Sequence, residues 1–97
     1  MNHWKPQDTI GRIQQMELYF DTVQRAVMLG YDAVCRDALI AEMLGVLTEY
    51  YENGQWLADY QRDECGELPP ALKRGVLSQD GLYDLLCEVD RLREKGQ

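Results

Sequence analysis

Hydrophobic residues in the first third of the chain recur every three or four positions, which is the period of an α-helix. This stripe consists of Ile13, Met16, Phe20, Val23 and Val27. Asp8 or Thr9 can cap its N-terminus, because a short oxygen-bearing side chain accepts a hydrogen bond from the first free backbone N–H groups. Gly30 can end the helix, because glycine adopts the left-handed conformation at little cost. We therefore predict a first helix that ends at Gly30.

A second helix is predicted from Asp32 to Glu52, and its hydrophobic face is broader than that of the first. Its apolar positions are Val34, Cys35, Leu39, Ile40, Met43, Leu44, Val46, Leu47, Tyr50 and Tyr51. A helix this apolar needs partners on more than one side. The short link at Gly30 favours an antiparallel hairpin with the first helix, and one long helix that bends at Gly30 is the alternative. If part of the face stays uncovered, a homodimer would bury it.

The pattern breaks at Asn53-Gly54, a pair typical of turns. A short third helix is predicted from Gln55 to Glu64, where Trp56 and Tyr60 lie one helical turn apart. Gly66 is expected to end this helix for the same reason as Gly30.

An irregular segment is predicted across residues 65–77. Leu68-Pro69-Pro70 cannot continue a helix, because proline lacks a backbone donor and restricts the residue before it. Proline can, however, start a single turn from Ala71 to Arg74.

The last helix has the clearest start signal in the chain. Ser78 is a favourable N-cap, Asp80 suits the first turn, and Leu77 and Leu82 have the spacing of a hydrophobic staple. The stripe that follows is Leu82, Leu85, Leu86, Val89 and Leu92. Strand-like alternation does not occur in the sequence. We predict an all-α fold, a small helical bundle that forms one domain over residues 1–97 with residues 1–7 flexible.

The net charge of −7 on 97 residues is spread over both halves of the chain. Because phosphate binding needs clustered lysine and arginine, this balance disfavours direct nucleic-acid binding. The opening MNHWKP leads into no apolar run, so we expect neither a secretory signal nor a membrane segment. Cys35, Cys65 and Cys87 are odd in number and widely spaced, which favours reduced thiols and a cytoplasmic location.

Few residues offer chemistry. Asp59 and Asp63, one turn apart and followed by Glu64, could share a divalent cation, although a solvated acidic face is the simpler interpretation. His3, the single histidine, lies near the terminus, where no general base would be held rigidly. The cysteines lack the neighbours that activate a nucleophile. We therefore predict no catalytic residue and no cofactor.

Two further features suggest binding. Lys73 and Arg74 precede a predicted helix N-terminus, which can receive an anion unless Ser78 already satisfies its donors. The second half of the chain is also rich in aromatic residues: Tyr50, Tyr51, Trp56, Tyr60 and Tyr83. Such residues pack where helices meet, and some can instead form a recognition surface.

The stretch YYENGQWLADYQRDECGELPPALKRGVLSQDGLYDLL, from Tyr50 to Leu86, resembles the small bacterial proteins of domain-of-unknown-function family 4298. The matching features are Gln55-Trp56, an acidic helix, Leu68-Pro69, the run from Leu72 to Ser78, and a helix that contains Leu-Tyr-Asp-Leu-Leu. The opening RIQQMELYFD is also similar to the family's first helix. The resemblance implies a helical fold and no particular activity.

Three functions remain open. The first is a non-enzymatic protein–protein interaction module or adaptor, because the chain is small, aromatic-rich and without a catalytic set. The second is an acidic inhibitor that mimics nucleic acid and occupies a basic groove on its partner, as a phage or mobile-element protein would. The third is a divalent-metal hydrolase at Asp59, Asp63 and Glu64. The predicted binding residues are Trp56, Asp59, Tyr60, Asp63, Lys73, Arg74 and Tyr83, and Arg74 is expected to pair with Asp63 or Asp84.

Overall fold

A computed structural model describes residues 6–95, and within them every regular element is helical. The elements are α1 (Pro6–Leu29), α2 (Tyr31–Cys35), α3 (Ala38–Glu52), α4 (Gln55–Glu64), a 3₁₀ turn (Gly75–Leu77) and α5 (Gly81–Lys95). The predicted all-α bundle is confirmed. None of the helices in this part of the chain combines the length and the apolar character that a bilayer span requires.

The first helix begins earlier than predicted. The segment predicted to be flexible is residues 1–7. Residues 1–5, which include His3, lie outside the described residues, whereas Pro6 and Gln7 already belong to α1. Neither Asp8 nor Thr9 is therefore the cap, because Asp8 lies in the first turn and Thr9 is buried within the helix. Proline explains the earlier start, since its fixed φ suits the first helical position and its missing N–H is not needed there.

Gly30 ends α1 as predicted, and the chain reverses there. Its N–H donates to the carbonyl oxygens of Ala26 and Val27 at 3.2 and 3.1 Å. Its φ of 103° and ψ of −166° lie in a region open to glycine, although not in the left-handed helical region that we expected. Arg12, near the start of α1, and Tyr50, near the end of α3, both donate hydrogen bonds to the Asp59 carboxylate. The two helices therefore run antiparallel. The hairpin prediction is confirmed over the single bent helix.

The prediction of a single second helix is wrong, because the structure has two helices, α2 and α3, in that stretch. The helical conformation is interrupted at Arg36 and Asp37, where Asp37 takes an extended conformation. The Asp37 carboxylate accepts from the N–H groups of Leu39 and Ile40 at 2.9 and 3.3 Å. Aspartate is among the best N-caps, and here it starts α3 in the middle of a continuous apolar pattern.

The third helix, α4, has the predicted bounds, and glycine lies just outside each end. Gly54 precedes α4 with a φ of 89°. After α4, the N–H of Gly66 donates to the backbone carbonyl of Asp63, and the N–H of Glu67 donates to the backbone carbonyl of Arg62, both at 3.0 Å. This pair of bonds is a Schellman motif, which requires a positive φ at its glycine.

The segment after α4 is irregular as predicted, but its turns lie elsewhere. Instead of a single turn over Ala71–Arg74, the Leu72 N–H donates to the Pro69 carbonyl, and the 3₁₀ turn comes later. The helix α5 begins at Gly81 rather than at Ser78, because two turn residues intervene. Ser78 still supplies a hydroxyl that accepts from the Gly81 N–H at 3.2 Å.

The core lies between α1, α3 and α5 and is closed by the irregular segment. Its fully buried members include Ile13, Val23, Leu47, Val76 and Leu82, each 0% exposed. Because Val76 comes from the 3₁₀ turn, the irregular segment is part of the core and not an external loop. The large hydrophobic side chains left exposed in the described residues are Leu18, Met28, Leu29, Leu39, Leu57 and Tyr83.

Candidate functional site

Asp59 lies at the junction of three helices and is completely buried. Arg12 binds its carboxylate through two bonds, Nε to Oδ2 at 3.0 Å and Nη2 to Oδ1 at 2.8 Å. The Tyr50 hydroxyl donates to Oδ2 at 2.7 Å, and Arg62 Nη1 lies 3.5 Å from Oδ1. A carboxylate with both oxygens engaged in this way is stable away from water. Asp59 therefore joins α1, α3 and α4.

The junction changes the protonation equilibria of its members. The hydrogen bond to Asp59 raises the pKa of Arg12, against the opposing effect of its partial burial. Burial, followed by the hydrogen bond to Asp59, raises the pKa of Tyr50 far above its usual value. Both shifts keep Arg12 charged and Tyr50 protonated, which are the forms that donate to the carboxylate.

This arrangement argues against the divalent-cation site that was the last of the three alternatives, at Asp59, Asp63 and Glu64. The oxygens of Asp59 already accept from two arginines, and the Asp63 carboxylate is paired with Arg74. A divalent cation would have to displace guanidinium groups that repel it. Among the described residues, no group of three histidine, cysteine, aspartate or glutamate side chains is placed to hold a metal ion.

Arg74 attaches the irregular segment to α4. Its Nη1 donates to Asp63, its Nη2 to the Pro69 carbonyl, and its Nε to the Leu72 carbonyl at 3.1 Å. Of the two partners considered from the sequence, Asp63 is therefore the one that Arg74 binds. With three acceptors from its own surroundings, this guanidinium holds the Leu-Pro segment in place.

Beside Lys73 and Arg74, where the sequence suggested that an anion could bind, a carboxylate of the protein already engages one backbone donor. The N–H of Val76 in the 3₁₀ turn donates to Glu17 Oε1 at 2.8 Å. Gly75 allows this approach, because a Cβ at that position would lie 3.1 Å from Glu17 Oε2. Lys73 is exposed in a shallow groove against α1, beside Leu18 and Asp21. The Val76 donor is thus already used by Glu17, a contact that the sequence did not indicate.

The aromatic residues of the second half separate into two groups. Tyr50 is buried at the Asp59 junction, whereas Tyr60, Trp56, Tyr51 and Tyr83 form a row that we call the aromatic ribbon. Trp56 and Tyr60 stack with ring centroids 5.0 Å apart and planes 16° apart. Tyr51 contacts Trp56 at 5.2 Å and Tyr83 at 6.4 Å in tilted geometry. The ribbon thus crosses from α4 over α3 to α5.

Burial changes along the aromatic ribbon. Trp56 is 9% exposed, and its Nε1 donates to the Val76 carbonyl at 2.8 Å, which fixes the ring. Tyr51 and Tyr60 are half-buried, and Tyr83 is 53% exposed. Tyr50 and Trp56 therefore belong to the core, Tyr51 and Tyr60 pack partly against it, and Tyr83 is presented to solvent.

Carboxylates lie near both ends of the ribbon. A hydrogen bond to Glu64 raises the pKa of Tyr60, and the charges of Asp80 and Asp63 act in the same direction. A hydrogen bond to Cys87 is the main cause of the raised pKa of Tyr83, to which Asp84 also contributes. The edge of the ribbon therefore carries negative charge.

The three cysteines are unpaired thiols in different surroundings. Cys35 is half-buried and packs against the core, as expected for a small hydrophobic residue. Cys87 is half-buried beside Tyr83, and Cys65 is exposed at the C-terminal end of α4.

Sequence reasoning missed Arg12 and Glu17, two α1 residues that complete contacts of the second half of the chain. Arg12 lies 47 residues from Asp59, and Glu17 lies 59 residues from Val76. No local signal links residues so far apart.

Comparisons with known proteins agree with the sequence resemblance. Neither the curated proteins nor the solved structures give a match. A family model described as "Domain of unknown function (DUF4298)" matches residues 13–95, which include every helix except the first turns of α1. The chain belongs to this family of proteins with a domain of unknown function.

Proposed function

We propose that this protein is a non-enzymatic interaction module whose binding surface is the aromatic ribbon. The observation that carries the proposal is a continuous row of four rings on three helices, of which the outermost, Tyr83, is 53% exposed. Tyrosine and tryptophan dominate the energetics of protein interfaces, because they offer a large contact area and few rotatable bonds.

The ribbon is held rigidly, which favours binding. The bond from Trp56 to the Val76 carbonyl fixes the central ring, and both Tyr51 and Tyr60 pack against that ring. A surface that is already ordered loses little conformational entropy when a partner binds. Leu57, 49% exposed and three residues before Tyr60 on α4, extends the apolar area.

We place the module in the cytoplasm, since its three cysteines are unpaired thiols. Burial of the ribbon by a protein partner needs no catalytic group and no cofactor.

Site-specific photocrosslinking in the cells of origin tests this proposal. We would replace Tyr83 with p-benzoylphenylalanine and, in a matched control, make the same replacement at Glu42. Glu42 is exposed on α3, nine residues before Tyr51, and at about 100° per residue it faces away from the ribbon. We expect a discrete protein adduct from the Tyr83 position and none from the Glu42 position.

A second variant shows whether the adduct depends on the ribbon. Tyr60→Ala removes one outer ring and leaves the Trp56 hydrogen bond in place. We expect it to weaken the Tyr83 adduct at a temperature at which the variant is fully folded, a condition that is needed because Tyr60 also packs against the core. Equal adducts from Tyr83 and Glu42, or no adduct from Tyr83, would refute the proposed function.

A further inference from the structure

We infer, on the basis of the proposed function, that the aromatic ribbon binds a basic segment of a partner protein and that arginine side chains make the main contacts. The ribbon presents ring faces, which carry partial negative charge, next to carboxylates. An arginine guanidinium is planar, is weakly hydrated, stacks on aromatic rings and pairs with carboxylates, so it matches both features at once.

The carboxylates at the ribbon have the positions that such a contact needs. Asp80 precedes α5, and its charge contributes to the raised pKa of Tyr60. Asp84 lies one residue after Tyr83, and its charge contributes to the raised pKa of Tyr83. Both are exposed, and neither forms an ion pair with any residue from 6 to 95. Asp63, by contrast, is paired with Arg74 inside the fold. The two aspartates are therefore available to an incoming cation.

The ring hydroxyls support the same partner. Glu64 lies one helical turn after Tyr60, and its proximity raises the pKa of the Tyr60 hydroxyl, so this end of the ribbon also has a carboxylate beside it. Tyr51 and Tyr83 meet with planes at 42°, so their faces enclose an angle and are not closed by parallel stacking. Tyr83, 53% exposed, is the ring of this pair on which a guanidinium can stack.

Long-range charge favours the encounter. The chain carries a net charge of −7, which attracts a basic segment and repels an acidic one. A purely apolar helix is a poorer match, because covering the ribbon would also remove water from Asp80 and Asp84 without pairing them.

Binding of uniform peptides tests the inference with the full chain. The protein would carry Trp4→Phe, a change outside the described residues, so that Trp56 is its sole tryptophan. Its fluorescence would be followed during titration with a capped hexa-arginine peptide, and with hexa-citrulline, which keeps nearly the same shape without the charge. We expect the arginine peptide to bind at least tenfold more tightly than the citrulline peptide, and several-fold more tightly than hexa-lysine.

Two single-charge variants separate local recognition from general attraction. Asp84→Asn and Glu42→Gln each remove one exposed carboxylate, but only Asp84 lies at the ribbon. We expect Asp84→Asn to weaken arginine-peptide binding about two- to fivefold, the usual range for one exposed pair, and Glu42→Gln to have less effect. Tyr83→Ala is expected to weaken binding by a similar factor.

Equal binding of the arginine and citrulline peptides would overturn the inference, as would equal losses from Asp84→Asn and Glu42→Gln. Sedimentation of the free protein adds a further check, because a dimer that Tyr83→Ala dissociates would identify a second copy as the occupant. The photocrosslinking result is independent of these peptides. An adduct specific to Tyr83 without arginine preference would leave the interaction module standing and refute only its basic partner.

Discussion

Replacing Asp59 with asparagine should destabilise the protein more than any other change of similar size. The substitution preserves shape but removes the charge that Arg12 and Arg62 face. Both carboxylate oxygens accept hydrogen bonds from donors, so the new amide nitrogen opposes a donor in either orientation. Such a contact leaves a donor of Arg12 or Tyr50 without an acceptor.

The magnitude follows from burial. Breaking a buried ion pair costs about 3–5 kcal/mol, because the remaining charge loses its partner away from water. Asp59 is 0% exposed, but the Arg12 side chain is 27% exposed and retains some hydration. We therefore expect the lower end, a loss of about 3 kcal/mol in the free energy of unfolding. For a domain of this size that corresponds to a fall of about 12–24 °C in melting temperature.

Urea unfolding followed by circular dichroism measures this loss directly. The matched control is Asp84→Asn, which makes the same chemical change at an exposed aspartate in the first turn of α5 and should cost less than about 1 kcal/mol. An effect of Asp59→Asn below about 1 kcal/mol, or one equal to that of the control, would show that the junction contributes little.

Two further predictions concern stability. The raised pKa of Tyr50 means that the folded state holds the Tyr50 proton more tightly than the unfolded chain does. The contribution of Tyr50 to the free energy of unfolding is therefore complete below about pH 10 and is lost as the pH rises further. Urea titrations from pH 8 to 11 should show this loss in the wild type, and Tyr50→Phe should reduce it. Two glycine substitutions should act in opposite directions. Gly45→Ala, in the interior of α3 with open space at its Cβ, should stabilise the protein by about 0.5–1 kcal/mol, whereas Gly30→Ala, at a φ of 103°, should destabilise it by about 1 kcal/mol or more. Melting curves in which the two variants shift the melting temperature in the same direction would contradict this reasoning.

Local signals explain which parts of the fold the sequence predicted. The end of α1 and both ends of α4 coincide with glycines at positive φ, and such stops depend on one or two neighbouring residues. The break at Asp37 is also local, but the apolar residues around it continue the helical period and conceal it. Periodicity identifies a buried face and does not show whether one helix or two supply it.

The contacts of the site depend on distance along the chain. The pairing of Arg74 with Asp63 spans 11 residues and was one of two alternatives that the sequence offered. The pairing of Arg12 with Asp59 spans 47 residues, and only the packing of α1 against α3 and α4 brings them together. The same packing decides that Tyr50 turns inward while its neighbour Tyr51 joins the ribbon.

The irregular segment connects stability to the proposed binding surface. Val76 donates its N–H to Glu17 of α1 and accepts from Trp56 of α4, so one residue links the core to the centre of the ribbon. Substitution of Trp56 or Arg74 should therefore affect folding and binding together, and neither can reveal binding alone. Tyr83 and Asp84 are exposed and are not part of the core cluster, so changes there should reduce binding while the fold is retained. Variants at these two positions are consequently the ones that can separate a recognition surface from a structural motif.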